Sequence, residues 1–331
     1  METPPEVPGA EERVVVRWLP SVLLDLSPAE PISAVRTPHR VVLQALPSTR
    51  EGLVALLSRH PFEVVVELET DASPLRHVPV HEIHEARLTP DLPLDWPQYY
   101  WLVDGLLDDL VEYSRDPAAA LLRGRLRLAV AERVLRHESY GLVCEPADLE
   151  AAWARPGAAP LPDVERHGAP AEALQQYVRS FTGHLLEHAS SPAFVDRAGK
   201  LFCLAEQRSD VALPLLGGSE TRSLSLYLQH RLLGSACLTA PAGMIAGWQL
   251  LVSAYAVGVW WASLLMASQQ ETNPREALFT SLWMLDQGLW RDEPLLHDVL
   301  RHLVAGEYTS PELAAALSDA LSGVHARPRD R

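Results

Sequence analysis
The chain has 331 residues, enough for one large domain or two ordinary ones, and its 47% apolar share is that of a folded globular protein rather than a disordered one. Its formal net charge is −15, from 28 Lys and Arg against 43 Asp and Glu. That balance argues against the phosphate backbone of nucleic acids and against anionic membrane surfaces, both of which are bound through clustered cations.

The first twelve residues (METPPEVPGAEE) are rich in Pro and Glu and predict a disordered tail, with no basic-then-apolar secretion signal, so the cytoplasm is the expected location. From Arg13 to about position 88 the texture is that of a small α/β unit. Val14–Val16, Arg40–Leu46 and Phe62–Glu69 are β-branched runs that predict strands. Between the last two, Leu53, Leu56 and Leu57 recur at helical spacing within Thr49–His60.

At 89–97 (TPDLPLDWP) a proline-rich stretch predicts a hinge, and the chain beyond it predicts a helical domain reaching to about 310. Tyr99–Ser114 sets Trp101, Leu102, Leu106, Leu110 and Val111 on one stripe, with Asp104, Asp108, Asp109 and Glu112 expected on a solvated face. Asp116-Pro117 opens a helix to about Arg136. A Pro- and Gly-rich linker is expected at 154–170. Helices follow at about 171–189, 192–207, 219–234, 242–268, 274–288 and 293–305. Ser310-Pro311 starts a terminal helix and tail over 311–331. The expected fold class is therefore mainly α: a multi-helix bundle with a small N-terminal α/β unit.

No charged residue lies between Arg231 and Glu271, and Met244–Met266 is long and apolar enough to span a bilayer. Polar residues dilute it, glycines interrupt it, and no Lys or Arg cluster flanks it. Trp260 and Trp261 sit deep inside it, away from where interfacial aromatics belong. The segment is expected to be the central helix of the bundle, without membrane insertion.

Three clusters have the residue types of a metal site. His184-Leu185-Leu186-Glu187-His188 matches H-x-x-E-H, in which two His one helical turn apart share a face and Glu187 could act as base. It lacks a third ligand in sequence, for which Glu206, Glu220 and Glu276 are candidates. His77, His81 and His84 form a second cluster, read as a solvated linker because Pro79 breaks a helix and His84 falls off the strand face. The acidic set Asp104, Asp108, Asp109 and Glu112 has no Glu-x-x-His companion of the di-iron kind. Cys144, Cys203 and Cys237 have no paired spacing and lie among apolar neighbours, so they read as buried, inert thiols.

The helical part resembles the flagellin lysine-N-methylase family. The resembling stretches are Arg222–Tyr227 (RSLSLY), Gly247–Ser268 (GWQLLVSAYAVGVWWASLLMAS) and Glu276–Leu303, ending in LLHDVLRHL, with weaker likeness back through Tyr99–Leu135. The resemblance implies a helical body and, in the family, an N-terminal cysteine cluster that holds an iron–sulfur centre used with S-adenosylmethionine. This chain has no cysteine before Cys144, so those ligands do not carry over and no iron–sulfur cluster is expected.

The leading expectation is a binding or scaffold protein, without a predicted cofactor, that holds a protein or peptide partner. Trp283, Trp290 and Tyr308 lie in polar sequence surroundings suited to contact residues, with core packing as their other reading. The alternative is an S-adenosylmethionine-dependent protein lysine methyltransferase lacking the iron–sulfur centre. No Gly-rich turn follows the runs at Val14–Val16 or Val64–Val66 to seat that cofactor, and Gly217-Gly218 follow no strand. A zinc hydrolase using His184, Glu187 and His188 is the third.

Overall fold
The computed structural model describes residues 14–16, 32–37, 40–45, 47–58, 66–68, 80–139, 170–207, 216–234 and 241–306. The expected tail, the 154–169 linker, the terminal helix, His77, Tyr308, Cys144 and Cys237 lie outside them.

Seven strands and nine α-helices are seen among the described residues. The strands are β1 (Val14–Val16), β2 (Ile32–Thr37), β3 (Arg40–Ala45), β4 (Val66–Leu68), β5 (Val80–Glu82), β6 (Ala86–Thr89) and β7 (Leu92–Leu94). The helices are α1 (Arg50–Ser58), α2 (Trp96–Glu112), α3 (Pro117–Ser139), α4 (Pro170–His188), α5 (Pro192–Gln207), α6 (Gly218–Gly234), α7 (Gly243–Ala267), α8 (Pro274–Leu285) and α9 (Glu293–Val304). A π-turn, Asp286–Trp290, continues α8. The molecule is mainly α, with a small α/β unit at its N-terminal side.

That unit is a mixed five-stranded sheet in the order β4-β1-β3-β2-β5. β2 and β3 pair antiparallel in the register Thr37↔Arg40 through Ile32↔Ala45, while β1 runs parallel to β3 and β5 parallel to β2. His81, expected in a linker, pairs with Val35 inside β5. Helix α1 buries Leu53, Leu56 and Leu57 in the same hydrophobic cluster as the helical body. Its entry is pinned from outside the unit: Trp283 donates its indole N–H to the Ser48 carbonyl (3.3 Å) and Gln287 donates to Pro47 O (3.3 Å). Arg50 meets Glu271 at 3.2 Å and Glu276 at 3.3 Å.

The stretch expected as a hinge at 89–97 is ordered differently. Ala86–Thr89 and Leu92–Leu94 form an antiparallel hairpin, with Ala86, Leu88, Leu92 and Leu94 buried. Their alternate burial is what a half-buried strand requires, and the prolines that suggested a hinge sit at the turn (Pro90) and on an exposed edge position (Pro93). Asp95 then caps α2 with a reciprocal box. Its carboxylate accepts from Gln98 N at 2.7 Å, and Gln98 Oε1 accepts from Asp95 N at 3.1 Å.

Helix α7 is the pillar. Every residue from Leu250 to Leu265 is buried, and α3, α4, α5, α6, α8, α9 and β6 all pack on it. It is long and apolar enough to cross a membrane, and 89% of its most apolar window is buried inside the protein. Apolar residues all round a helix are what complete enclosure by other helices demands.

Candidate functional site
The zinc-like motif sits at the C-terminal end of α4, against α9. His184 is nearly buried, with its side chain 9% exposed, and its Nε2 lies 3.0 Å from Asp298 Oδ2. His302, one turn further along α9, puts Nε2 3.7 Å from the same oxygen. The three ligand atoms lie within 4.8 Å of one another. The His188 ring lies 4.6 Å from that of His184, tilted by 47°, and is half exposed, and Glu187 is 76% exposed, on the solvent side. The companions expected for this motif, Glu206, Glu220 and Glu276, are not in the cluster, and Glu276 pairs with Arg50 instead. Asp298 and His302 take their place. The signal was present in LLHDVLRHL, since Asp298 and His302 are four apart and share a helix face.

Burial, then the neighbouring His302 and His188 imidazoles, holds His184 below the ordinary histidine value against the pull of Asp298. For Asp298 burial works against the charged form. Arg301 and the surrounding imidazoles outweigh it and set the carboxyl below its usual range. A neutral imidazole faces an ionised carboxylate at neutral pH.

Two of the three aromatic residues expected as contacts, Trp283 and Trp290, have partners within the protein; Tyr308 lies outside the described residues. Trp283 is partly covered, with its indole on Ser48 O and the Arg197 guanidinium 4.6 Å above its ring. Trp290 is 5% exposed and donates its indole N–H to the Tyr227 hydroxyl at 2.9 Å, which is the core-packing reading of this residue. It belongs to a network inside the bundle. Tyr227 donates to Asp286 Oδ1 (2.9 Å), Arg231 donates to Asp286 Oδ2 (2.6 Å), and both charged side chains are fully buried. Burial pushes the Asp286 carboxyl up, while Arg231 and Tyr227 pull it back toward the ionised form. Asp286 is the first residue of the π-turn, a geometry often found where a side chain must be re-aimed.

The acidic set divides. Asp109 is fully buried rather than on a solvated face, and it accepts from Arg123 Nε at 2.9 Å and Arg127 Nη2 at 2.7 Å. Asp108 is exposed, as the stripe predicts; burial and the nearby Asp104 raise its carboxyl above the usual value. Cys203 is an exposed free thiol on α5, which corrects the expectation of burial.

A cleft of about 710 Å³ opens between α3, the first turns of α7, the β6–β7 turn and the end of α9. Leu128, Ile245, Ala246 and Leu303 supply apolar lining. On its rim Arg136 bridges Asp91 (2.9 Å) and Glu132 (2.9 Å), which lowers the Asp91 carboxyl to about 2. Arg125 also lines the cleft and has no carboxylate partner among the described residues. No protein-family model, curated protein or solved structure matches the chain.

Proposed function
We propose that this protein is a binding or scaffold protein that takes a peptide segment of a protein partner in the cleft between α3, α7, the β6–β7 turn and α9. The observation that carries the reading is the cleft's composition: apolar lining from three helices, a charged rim of matched pairs, and a cation, Arg125, that has no carboxylate partner among the described residues and can meet a ligand's carboxylate. An apolar centre within a polar margin is the anatomy of a protein-binding patch. Its volume of about 710 Å³ accommodates a few apolar side chains. The best ligand is a short segment with apolar anchors and an acidic residue beside them. The net charge of −15 supports a partner other than nucleic acid.

Selection from a displayed peptide library tests this. Enriched peptides should share an apolar pair and a neighbouring Asp or Glu. Their affinity should fall more than about tenfold on Ala129→Arg, which fills the cleft, and on Arg125→Glu, which reverses its cation. Peptides that bind both variants as well as the parent protein would place recognition elsewhere.

A further inference from the structure
The geometry points to a second site: we propose that α4 and α9 jointly hold a divalent transition-metal ion of the zinc class. Its ligands are His184 Nε2, His302 Nε2 and Asp298 Oδ2, with His188 or a water in the fourth position. The proposal is independent of the cleft.

On α9, Asp298 and His302 lie one turn apart and face His184 of α4, with the His188 ring next to that of His184. The end of α4 and the start of α9 are tied together, where Asp292 Oδ2 accepts from Ser190 N (2.7 Å) and Ser190 Oγ (2.6 Å). Running back along α4 and forward along α9 from that tie brings His184 opposite Asp298 and His302.

The distances suit a small cation. Ligand bonds of about 2.0–2.2 Å in a tetrahedron set ligand atoms roughly 3.3–3.5 Å apart. The Asp298 Oδ2 separations of 3.0 and 3.7 Å bracket that value. The third separation is at most 4.8 Å. Asp298 Oδ2 is buried and makes no hydrogen bond of regular geometry among the described residues, although two imidazoles face it. Arg301 donates to the other oxygen, Oδ1. A single oxygen is thereby aimed inward, the orienting role that partners outside the ligand shell play in metal sites.

Imidazole with carboxylate selects zinc and its neighbours over calcium and magnesium, which prefer all-oxygen shells. Side-chain exposures of 26% at His302 and 45% at His188 leave one side of the cluster open for entry. Glu187 is outside the shell, which separates this site from the H-x-x-E-H reading of the sequence.

The test uses the full chain stripped with chelator and titrated with Zn²⁺, then with Co²⁺ as a spectroscopic probe. One equivalent should bind, the thermal midpoint should rise, and Co²⁺ should give the intense visible bands of a four-coordinate N/O site. His302→Gln and Asp298→Asn should weaken binding by more than the ~10–100-fold that loss of an outer-shell partner costs. Their far-UV circular dichroism without metal should match the parent. Glu187→Ala should bind as the parent does, and His188→Ala should alter the Co²⁺ spectrum if imidazole fills the fourth position. Metal binding retained in both α9 variants, or lost in Glu187→Ala, overturns the assignment. So does failure of the parent to take up one equivalent, which covers the case of variants that do not fold.

Discussion
Asp286 and Arg231 are both fully buried and 2.6 Å apart, and this pair has the most to lose from a single substitution. Removing one partner leaves an uncompensated charge in the core, at a cost of about 3–5 kcal/mol, whereas replacing both by apolar groups of similar volume is often neutral. Asp286→Asn should therefore lower the unfolding free energy by about that amount. Arg231→Met combined with Asp286→Leu should lose much less, although Tyr227 and Trp290 must find new partners. Urea titrations of the parent, Arg231→Met, Asp286→Leu and the double variant form a double-mutant cycle that measures the coupling, and strict additivity would show that the pair is not energetically joined. Beside it, burial and the Arg231 charge hold His230 down at about 3, against an ordinary histidine value of 6.5. The sign follows from proton binding. Between 6.5 and about 3 the unfolded chain carries a proton on this residue that the folded chain excludes, so this contribution to stability is full above 6.5 and declines as pH falls. The expected slope is up to about 1.4 kcal/mol per pH unit in that window. Urea midpoints at pH 6.5, 5.5 and 4.5 should fall less steeply for His230→Gln than for the parent, and parallel slopes would remove His230 as the source.

Where a helix meets a strand, backbone geometry decides what the sequence can be. Gly243 opens α7 at φ +84°, and a Cβ there would come within 2.8 Å of Leu88 O and 2.9 Å of Thr89 Cα on β6. Gly243→Ala combines left-handed strain, about 1–2 kcal/mol by itself, with a clash against backbone that has no side chain to yield. A destabilisation of at least that size is expected in thermal unfolding, and a substitution costing less than 0.5 kcal/mol, on the order of an exposed surface change, would show that α7 can shift off β6. The sequence announced the helices well because their ends are chemical. Asp116-Pro117, Asn273-Pro274 and Ser191-Pro192 each place a capping side chain before proline, and α5 begins and ends where its pattern put it. It did not announce the β6–β7 hairpin, since proline marks hinges and turns alike. Nor did it announce the π-turn, which has no periodic signature. The pairing of Asp109 with Arg123 and Arg127, or of His184 with Asp298, depends on which helix lies opposite. A helical wheel sorts residues by polarity and carries no information about the facing element. So the α4 half of the His/Asp cluster is legible as H-x-x-E-H, and the α9 half is legible as two ligand types on one helix face but not as the partner of α4.

At the scale of the whole chain, the question is whether the N-terminal α/β unit stands apart from the helices. A composition shift near position 88 suggests a boundary there, but the packing crosses it. Leu53, Leu56 and Leu57 of α1 belong to the same apolar cluster as α7, and β6 lies directly against that helix. Arg50, Ser48 and Pro47 are held by Glu271, Trp283 and Gln287 from beyond the pillar, and Thr37 meets the Tyr100 hydroxyl of α2 at 2.6 Å. Surfaces joined by a shared core unfold as one cooperative unit, whereas units joined by a linker unfold separately. Leu53 is fully buried, so Leu53→Ala removes a core side chain at a cost of about 2–5 kcal/mol. If α1 is part of the body, that loss appears in the tryptophan signal of the helices as well as in the far-UV dichroism, as one transition moved to lower urea with the slope unchanged. Trp248 and Trp261, buried in α7, report the body directly. A variant in which the tryptophan transition stays where it was, while an earlier transition separates from it, would make the α/β unit an independent domain. It would also detach α1 from the core that now includes it.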